Sequence, residues 1–159
     1  MGENNRTDLK LTGGCQCGAR RYEATVVSDK GYFCHCRMCQ KAVGHVHAAF
    51  FMIDVGAVTW FGKEPAYFHS SKLAKRGFCP DCGTPLSFQY LDAGHMDLTV
   101  GSLDDPSALR LAGHGGVESR IDSFVDSGGL SESKTEDSAD YVAKWHAAYG
   151  PDSAPGPQN

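Results

Sequence analysis

Seven cysteines stand in three tight groups in this chain of 159 residues. The groups are GGCQCG with Cys15 and Cys17, FCHCRMCQ with Cys34, Cys36 and Cys39, and FCPDCG with Cys79 and Cys82. An odd number of cysteines cannot all pair in disulfides, and clustered thiols in a chain without secretory features are more often metal ligands or catalytic groups. Zinc takes four soft ligands in a tetrahedron, so the spacing predicts zinc binding.

The first and third groups together supply one complete set of four ligands. FCPDCG is typical of a zinc knuckle, in which Gly83 takes a left-handed conformation and turns backbone N–H groups towards the thiolates. Cys15 and Cys17 are the group that remains once the central three cysteines are kept together. We therefore predict a structural zinc that is held by four cysteines, Cys15, Cys17, Cys79 and Cys82.

The central group supplies three thiolates, those of Cys34, Cys36 and Cys39. Three protein ligands leave one tetrahedral position open, which is what a catalytic zinc requires. Two alternatives stay open from the spacing: a fourth ligand from His35, His45 or His47 would close the site, or Cys39 would be a free redox thiol. The prediction is two zinc ions per chain, the second of them catalytic.

A zinc ion with three thiolate ligands suits the activation of a thiol better than that of water, because the thiolates reduce its Lewis acidity. We expect the activated thiol to attack a small aldehyde. His35 or His47 is a candidate for moving the proton. The contrasting hypothesis is a zinc-stabilised scaffold or binding domain without catalytic activity.

The segments between the cysteines predict a mainly β fold of short antiparallel strands. From Arg21 to Val27 the less polar residues alternate with polar ones, which is the period of a half-buried strand. Nineteen glycines fall mostly between such runs and predict tight turns. Further strands are predicted at 45–53, 57–61, 65–70, 74–78, 85–90 and 96–100.

One helix is predicted near the end of the chain. Apolar residues recur at helical spacing, with Ser138 or Asp137 before them as a cap and Gly150 and Pro151 after them as a stop. The residues that share the face are Tyr141, Val142, Trp145, Ala148 and Tyr149. The predicted organisation is a flexible tail at 1–10, one zinc domain at 11–149 and a disordered tail at 150–159. Within the domain, residues 115–140 form a long acidic loop, which has the length of a lid.

The charge and hydropathy of the chain disfavour two classes of partner. The formal net charge is −4, so a broad basic surface for nucleic acid is not expected. Lys72, Lys75 and Arg76 form a small local cluster, which we interpret as part of a solvated loop. No run of residues has the length and apolarity of a membrane helix or a signal peptide, so we expect a soluble cytoplasmic protein.

Four motifs, taken in chain order, resemble the glutathione-dependent formaldehyde-activating enzyme family, which also includes centromere protein V. They are GGCQCGARRY at 13–22, CHCRMCQKAVG at 34–44, FCPDCGTPL at 78–86 and VGSLDDP at 100–106. The resemblance implies an Mss4-like (β-tent) fold with the two zinc ions placed as above. It also implies a carbon-sulfur lyase that handles glutathione and formaldehyde through S-hydroxymethylglutathione. After His114 the chain departs from the family pattern, since the usual aromatic-rich stretch with tryptophan is absent, and the substrate thiol stays open.

Overall fold

The structure of the protein is a computed structural model that describes residues 8–124 and 135–154. The chain divides into two compact units, of which the first ends at Ile121 and the second begins at Asp122. Every cysteine lies in the first unit. None of the helices in the described ranges has the length and apolarity that a membrane crossing demands.

The described part of the first unit contains two β-sheets and one short helix, α1 (Arg37–Val43). A three-stranded sheet has the order β1-β2-β5 and a seven-stranded sheet the order β10-β3-β4-β9-β8-β7-β6. Neighbouring strands are antiparallel except for β10, which runs parallel to β3. The strands are β1 (Leu9–Gly14), β2 (Arg20–Val26), β3 (Lys30–Cys34), β4 (Ala48–Asp54), β5 (Val58–Gly62), β6 (Ala66–His69), β7 (Ala74–Phe78), β8 (Pro85–Tyr90), β9 (His95–Thr99) and β10 (Arg110–Gly115).

The two sheets pack face to face over the main hydrophobic core. Successive residues of a strand point to opposite faces, so Phe51 and Ile53 of β4 enter this core while Phe50 points to the other side of the large sheet. There Phe50 packs with α1 through Cys39. The core is formed by Leu11, Tyr22, Ala24 and Val26 from the small sheet and by Phe51, Ile53, Met96 and Leu98 from the large one. The large sheet therefore separates the main core from the face that carries α1.

The predicted mainly β fold is confirmed, and the strands at 74–78 and 85–90 have the predicted bounds. The strand predicted at 45–53 begins later, at Ala48. Three strands and α1 were not predicted. β3 contains Gly31 and does not alternate, and β10 is mostly exposed and forms through pairing with a strand about eighty residues earlier. Helix α1 begins after Cys36, which is not a typical cap residue, and ends at Gly44 with φ 65°.

In the second unit the predicted C-terminal helix is confirmed as α2 (Ala139–Tyr149). The backbone N–H of Val142 donates to the Ser138 carbonyl at its start, and Gly150, with φ 99°, follows its last residue. The only other elements described there are short 3-10 turns at Asp122–Phe124 and Thr135–Asp137. Parts of the predicted tails and loop, at 1–7, 125–134 and 155–159, lie outside the described residues, so the domain bounds stay a prediction.

Candidate metal centres

The structure brings the sulfur atoms of the first and third cysteine groups together. The four atoms lie within 4.8 Å of one another, with Cys15 Sγ at 3.5 Å from Cys17 Sγ and Cys17 Sγ at 3.7 Å from Cys79 Sγ. A zinc–sulfur bond of ~2.3 Å places tetrahedral ligands ~3.8 Å apart, so these separations fit a tetrahedral zinc ion. We call this set the four-cysteine cluster; its members are Cys15, Cys17, Cys79 and Cys82.

Two turns from different sheets supply the four-cysteine cluster. One joins β1 to β2 in the small sheet and the other joins β7 to β8 in the large sheet. A glycine with positive φ follows the second cysteine in both turns: Gly18 at 75° and Gly83 at 81°. The conformation that the sequence predicted for Gly83 is thus present, and its N–H donates to the Cys79 carbonyl at 2.7 Å. The cluster therefore connects the ends of the two sheets.

A buried arginine lies against the four-cysteine cluster. Arg20 Nη1 donates to Cys79 Sγ at 3.2 Å and to Asp81 Oδ2 at 2.8 Å, and its Nε donates to the Glu64 carbonyl at 2.8 Å. Four thiolates carry more negative charge than one zinc ion neutralises, and a buried excess charge is costly unless it is paired. Arg20 supplies a compensating positive charge.

The central three cysteines form the second centre, which we call the three-cysteine cluster. Cys34 ends β3, Cys36 caps α1, and Cys39 lies in the first turn of α1. The sulfur atoms lie within 4.8 Å of one another, with Cys34 Sγ and Cys36 Sγ 3.6 Å apart, and the Cys39 N–H donates to Cys36 Sγ at 3.4 Å. Within the described ranges, no histidine nitrogen completes this set. These atoms offer a metal ion three soft ligands.

Arg76 lies against the three-cysteine cluster, which corrects its interpretation as part of a solvated loop. It lies in β7 opposite Phe88 of β8, and its Nη2 donates to Cys39 Sγ at 3.3 Å. The contact with Cys34, followed by that with Arg76, lowers the pKa of the Cys39 thiol to about 5 against the effect of burial. The same contact with Cys39, together with burial, raises the pKa of Cys34. The contact with Arg76 therefore favours the thiolate form of Cys39.

The end of β10 and the turn that follows it support the backbone of the three-cysteine cluster. The His35 N–H donates to the Gly115 carbonyl at 2.8 Å. The buried Gln40 Nε2 donates to the carbonyls of His35 and Ser119 at 2.8 and 2.9 Å. The bonds to Gly115 and Ser119 join residues about eighty positions apart, so the cysteine loop is fixed by a strand that the sequence did not predict and by the turn after it.

Gly116 should be intolerant of any side chain. Its φ is 62°, and a Cβ there would lie 2.8 Å from the Cys36 backbone nitrogen. We expect Gly116→Ala to destabilise the protein by about 1 to 3 kcal/mol and to weaken metal binding at the three-cysteine cluster. Thermal unfolding and zinc analysis would measure both. Gly115→Ala is the matched control, because nothing lies within 4 Å of its Cβ position; equal losses in the two variants would contradict the steric explanation.

Four histidines form a group beside the three-cysteine cluster. His35 is fully buried, and its Nε2 lies 2.9 Å from His114 Nδ1. His47 stacks on Phe33 with ring centroids 3.9 Å apart, and burial, followed by the charges of neighbouring histidines, lowers its pKa. His45 lies 4.8 Å from His47 between ring centroids. A proton-transfer role for His35 or His47 stays a prediction, and His114 is a member of the group that the sequence did not suggest.

A pocket of about 470 Å³ lies beside the three-cysteine cluster, between α1 and strands β6 to β8. This volume is in the range of small-molecule sites. Arg76 belongs to its wall and also contacts Cys39, whereas none of the described wall residues is a cysteine. Other wall residues are Met38, Lys41, Phe50 and Phe68. The pocket therefore approaches the cluster through Arg76.

The family model described as glutathione-dependent formaldehyde-activating enzyme matches residues 10–115. A Schizosaccharomyces pombe protein that carries the name uncharacterized lyase is 32% identical over 78 residues. That alignment covers 49% of this chain and 56% of the relative, so the chain spans little more than half of the relative's length. The crystal structure of a Rhodobacter sphaeroides protein is similar with a TM-score of 0.54 and 20% identity, over 65% of this chain and 99% of that one. This similarity is one of fold.

Proposed function

Because the chain belongs to the glutathione-dependent formaldehyde-activating enzyme family, we propose that it is a zinc-dependent carbon-sulfur lyase. Its substrate would be the adduct of a small thiol and a small aldehyde, of the S-hydroxymethylglutathione type. The name of the yeast relative supports lyase chemistry. The free state of all seven cysteines supports a location in a reducing compartment such as the cytoplasm.

The sulfur separations support zinc in both clusters. The four-cysteine cluster would hold a structural ion, and the three-cysteine cluster would hold the catalytic one. A zinc ion with three protein ligands supplies an electrophilic position that lowers the pKa of a thiol. The remaining chemistry depends on how this chain binds and orients the two reactants.

The observation that carries the proposal is the incomplete ligand set beside a pocket. Three sulfur atoms converge with no histidine nitrogen among them in the described ranges, and a pocket of about 470 Å³ reaches the same place through Arg76. Structural zinc sites have four protein ligands and leave no position for a substrate. A cluster of three cysteines next to a cavity would leave a metal position that a substrate can reach, which a reaction at the metal requires.

The pocket wall favours an acidic thiol such as glutathione. Lys41 and Arg76 make the pocket wall positively charged, and Lys41 would pair with a carboxylate of a peptide thiol. Met38 and Phe68 provide apolar surface for the rest of the ligand. Glutathione and formaldehyde are therefore the first substrates to test.

The reaction balances without an oxidant or reductant. The thiol sulfur bonds to the carbonyl carbon, the electron pair of the C=O π bond moves to oxygen, and the thiol's proton ends on that oxygen. In the reverse direction the hydroxyl loses its proton, the carbon–sulfur bond breaks and the aldehyde leaves. His35 or His47 would carry the proton between sulfur and oxygen.

The experiment that tests the proposal is an NMR exchange assay with glutathione and formaldehyde. The rate of exchange between free and bound formaldehyde should rise above that of a protein-free control, in proportion to the concentration of the protein. Cys39→Ala should reduce this rate by a factor of about 100 or more, since it removes a ligand of the catalytic ion. Rates equal to those of buffer across a panel of thiols and aldehydes would contradict the proposal and favour the zinc-stabilised scaffold.

A further inference from the structure

Two arginines of this chain each donate a hydrogen bond to a cysteine sulfur, one at each cluster. Arg20 Nη1 lies 3.2 Å from Cys79 Sγ, and Arg76 Nη2 lies 3.3 Å from Cys39 Sγ. A guanidinium group has five N–H donors, so a single bond to sulfur leaves most of them for other acceptors. The two arginines differ in where those remaining donors are directed.

The Nε and Nη1 donors of Arg20 are used within the protein. One pairs with the Asp81 carboxylate and another with the Glu64 carbonyl, and the residue is 5% exposed. Such an enclosed cation cannot meet a ligand. Arg20 therefore shows how an arginine is arranged when it serves only to stabilise a thiolate cluster.

The donors of Arg76 are not used in this way. Its Nε is buried without a hydrogen-bond partner, its Nη1 makes no hydrogen bond with the described residues, and no carboxylate among them pairs with it. The guanidinium carbon lies 4.8 Å from the centre of the Phe88 ring, which fixes the group in place. A buried donor without an acceptor is costly. This arrangement is what a site would have if the acceptor arrived with a ligand.

We propose that Arg76 is a catalytic residue that binds the oxygen of the aldehyde while this oxygen gains negative charge. The inference rests on the proposed function. As the thiol sulfur bonds to the carbonyl carbon, the π electrons move to the oxygen, and the free Nη1 N–H groups of Arg76 hold that oxygen until it takes up the proton. A fixed donor aimed at developing charge stabilises the transition state more than the ground state.

The position of Arg76 favours the reacting oxygen over a distant carboxylate. Its guanidinium is hydrogen-bonded to a sulfur of the three-cysteine cluster, so any group that it binds lies next to that cluster. Lys41, the other cation that we singled out in the pocket wall, makes no hydrogen bond to a cysteine among those described. Lys41 is therefore the better partner for a carboxylate of the thiol, and Arg76 the better partner for the oxygen that changes charge.

The kinetic test compares Arg76→Gln and Arg76→Lys with wild type, using glutathione and the uncharged thiol 2-mercaptoethanol. Removal of one oxyanion donor lowers kcat by about 100-fold or more, so we expect such a loss for Arg76→Gln with both thiols, with little change in KM and with zinc content unchanged. Arg76→Lys should recover part of the rate. Lys75→Gln is the control, because Lys75 lies on the other side of the same strand over the Tyr67 ring and should leave the kinetics unchanged.

Two kinetic outcomes would overturn the proposal. If the loss in Arg76→Gln appears with glutathione but not with 2-mercaptoethanol, Arg76 binds a carboxylate of the thiol. If both Arg76 variants lose zinc in parallel with activity, Arg76 only maintains the three-cysteine cluster. In either case the proposed lyase function stands, because wild type still forms the adduct.

A binding test needs no turnover and separates this inference from the proposed function. Formate is as small as formaldehyde and carries negative charge on its oxygens, so a formate titration followed by ¹⁵N NMR should shift the Nε–H signal of Arg76. The Arg20 Nε–H is the internal control, because it already donates to the Glu64 carbonyl. An unchanged Arg76 signal would overturn the inference. A shift in a protein that forms no adduct would leave the anion site in place and remove the proposed lyase function.

Discussion

Cys79→Ser is expected to unfold the protein, whereas Cys36→Ser is expected to leave it folded with about one zinc ion fewer per chain. Cys79 is fully buried in the four-cysteine cluster, which joins the β1–β2 turn of one sheet to the β7–β8 turn of the other. Structural zinc sites contribute on the order of 10 kcal/mol to folding. This is comparable to the whole stability of a domain of this size, about 5 to 15 kcal/mol.

The three-cysteine cluster has a smaller structural role because its ligands are close together in the chain. Cys34, Cys36 and Cys39 close loops of a few residues on one face of one sheet, so a metal ion there restricts the unfolded chain much less. Serine is also a good cap residue, and it would keep a side-chain acceptor for the N–H at the start of α1. The first turn of α1 should therefore survive the substitution.

Zinc analysis together with circular dichroism and thermal unfolding would test this pair of variants. Wild type should contain close to two zinc ions per chain, Cys36→Ser close to one, and Cys79→Ser should lack a cooperative transition. Equal unfolding by both substitutions would mean that both clusters are structural. That result would also remove the reason for placing a reaction at the three-cysteine cluster.

The grouping of the cysteines was predictable from the sequence because ligand spacing within a turn is a local property. C-x-C and C-x-x-C segments place two sulfur atoms on one side of a turn whatever the rest of the chain does. Keeping the three central cysteines together left the two outer pairs as one set of four ligands. The structure brings the sulfur atoms together in these same two sets. Their role as zinc ligands stays a prediction that the variants above would test.

The groups that surround the clusters were not predictable, because strand register decides which residues meet. Arg76 reaches Cys39 only because β7 pairs with β8 and α1 packs on the same face of the large sheet. His114 meets His35 because β10 adds to the edge of β3 in parallel, with a shift in register on the way. A single sequence carries little information on such long-range pairings. Arg76 was therefore interpreted as a solvated residue, although it lies in β7 and contacts a cysteine sulfur.

Arg20→Met is expected to lower the stability of the four-cysteine cluster strongly, while Lys63→Met is expected to have little effect. Both cations pair with Asp81, at 2.8 Å for Arg20 and 3.3 Å for Lys63, but their side chains are 6% and 66% exposed. Only Arg20 also contacts a cluster sulfur, that of Cys79. The comparison therefore separates charge compensation next to the sulfur from an ordinary surface ion pair.

The physical reason is the excess negative charge that the four thiolates leave after zinc has bound. Methionine keeps much of the packing of the arginine stem but provides no positive charge, so that excess stays buried without a partner. Removing one partner from a buried charge pair is strongly destabilising, whereas exposed pairs contribute little. For Arg20→Met we expect the unfolding midpoint to fall by on the order of 10 °C and zinc to be lost to a chelator at lower chelator concentration. Equal midpoints for the Arg20 and Lys63 variants would show that the cluster does not depend on this arginine for charge compensation.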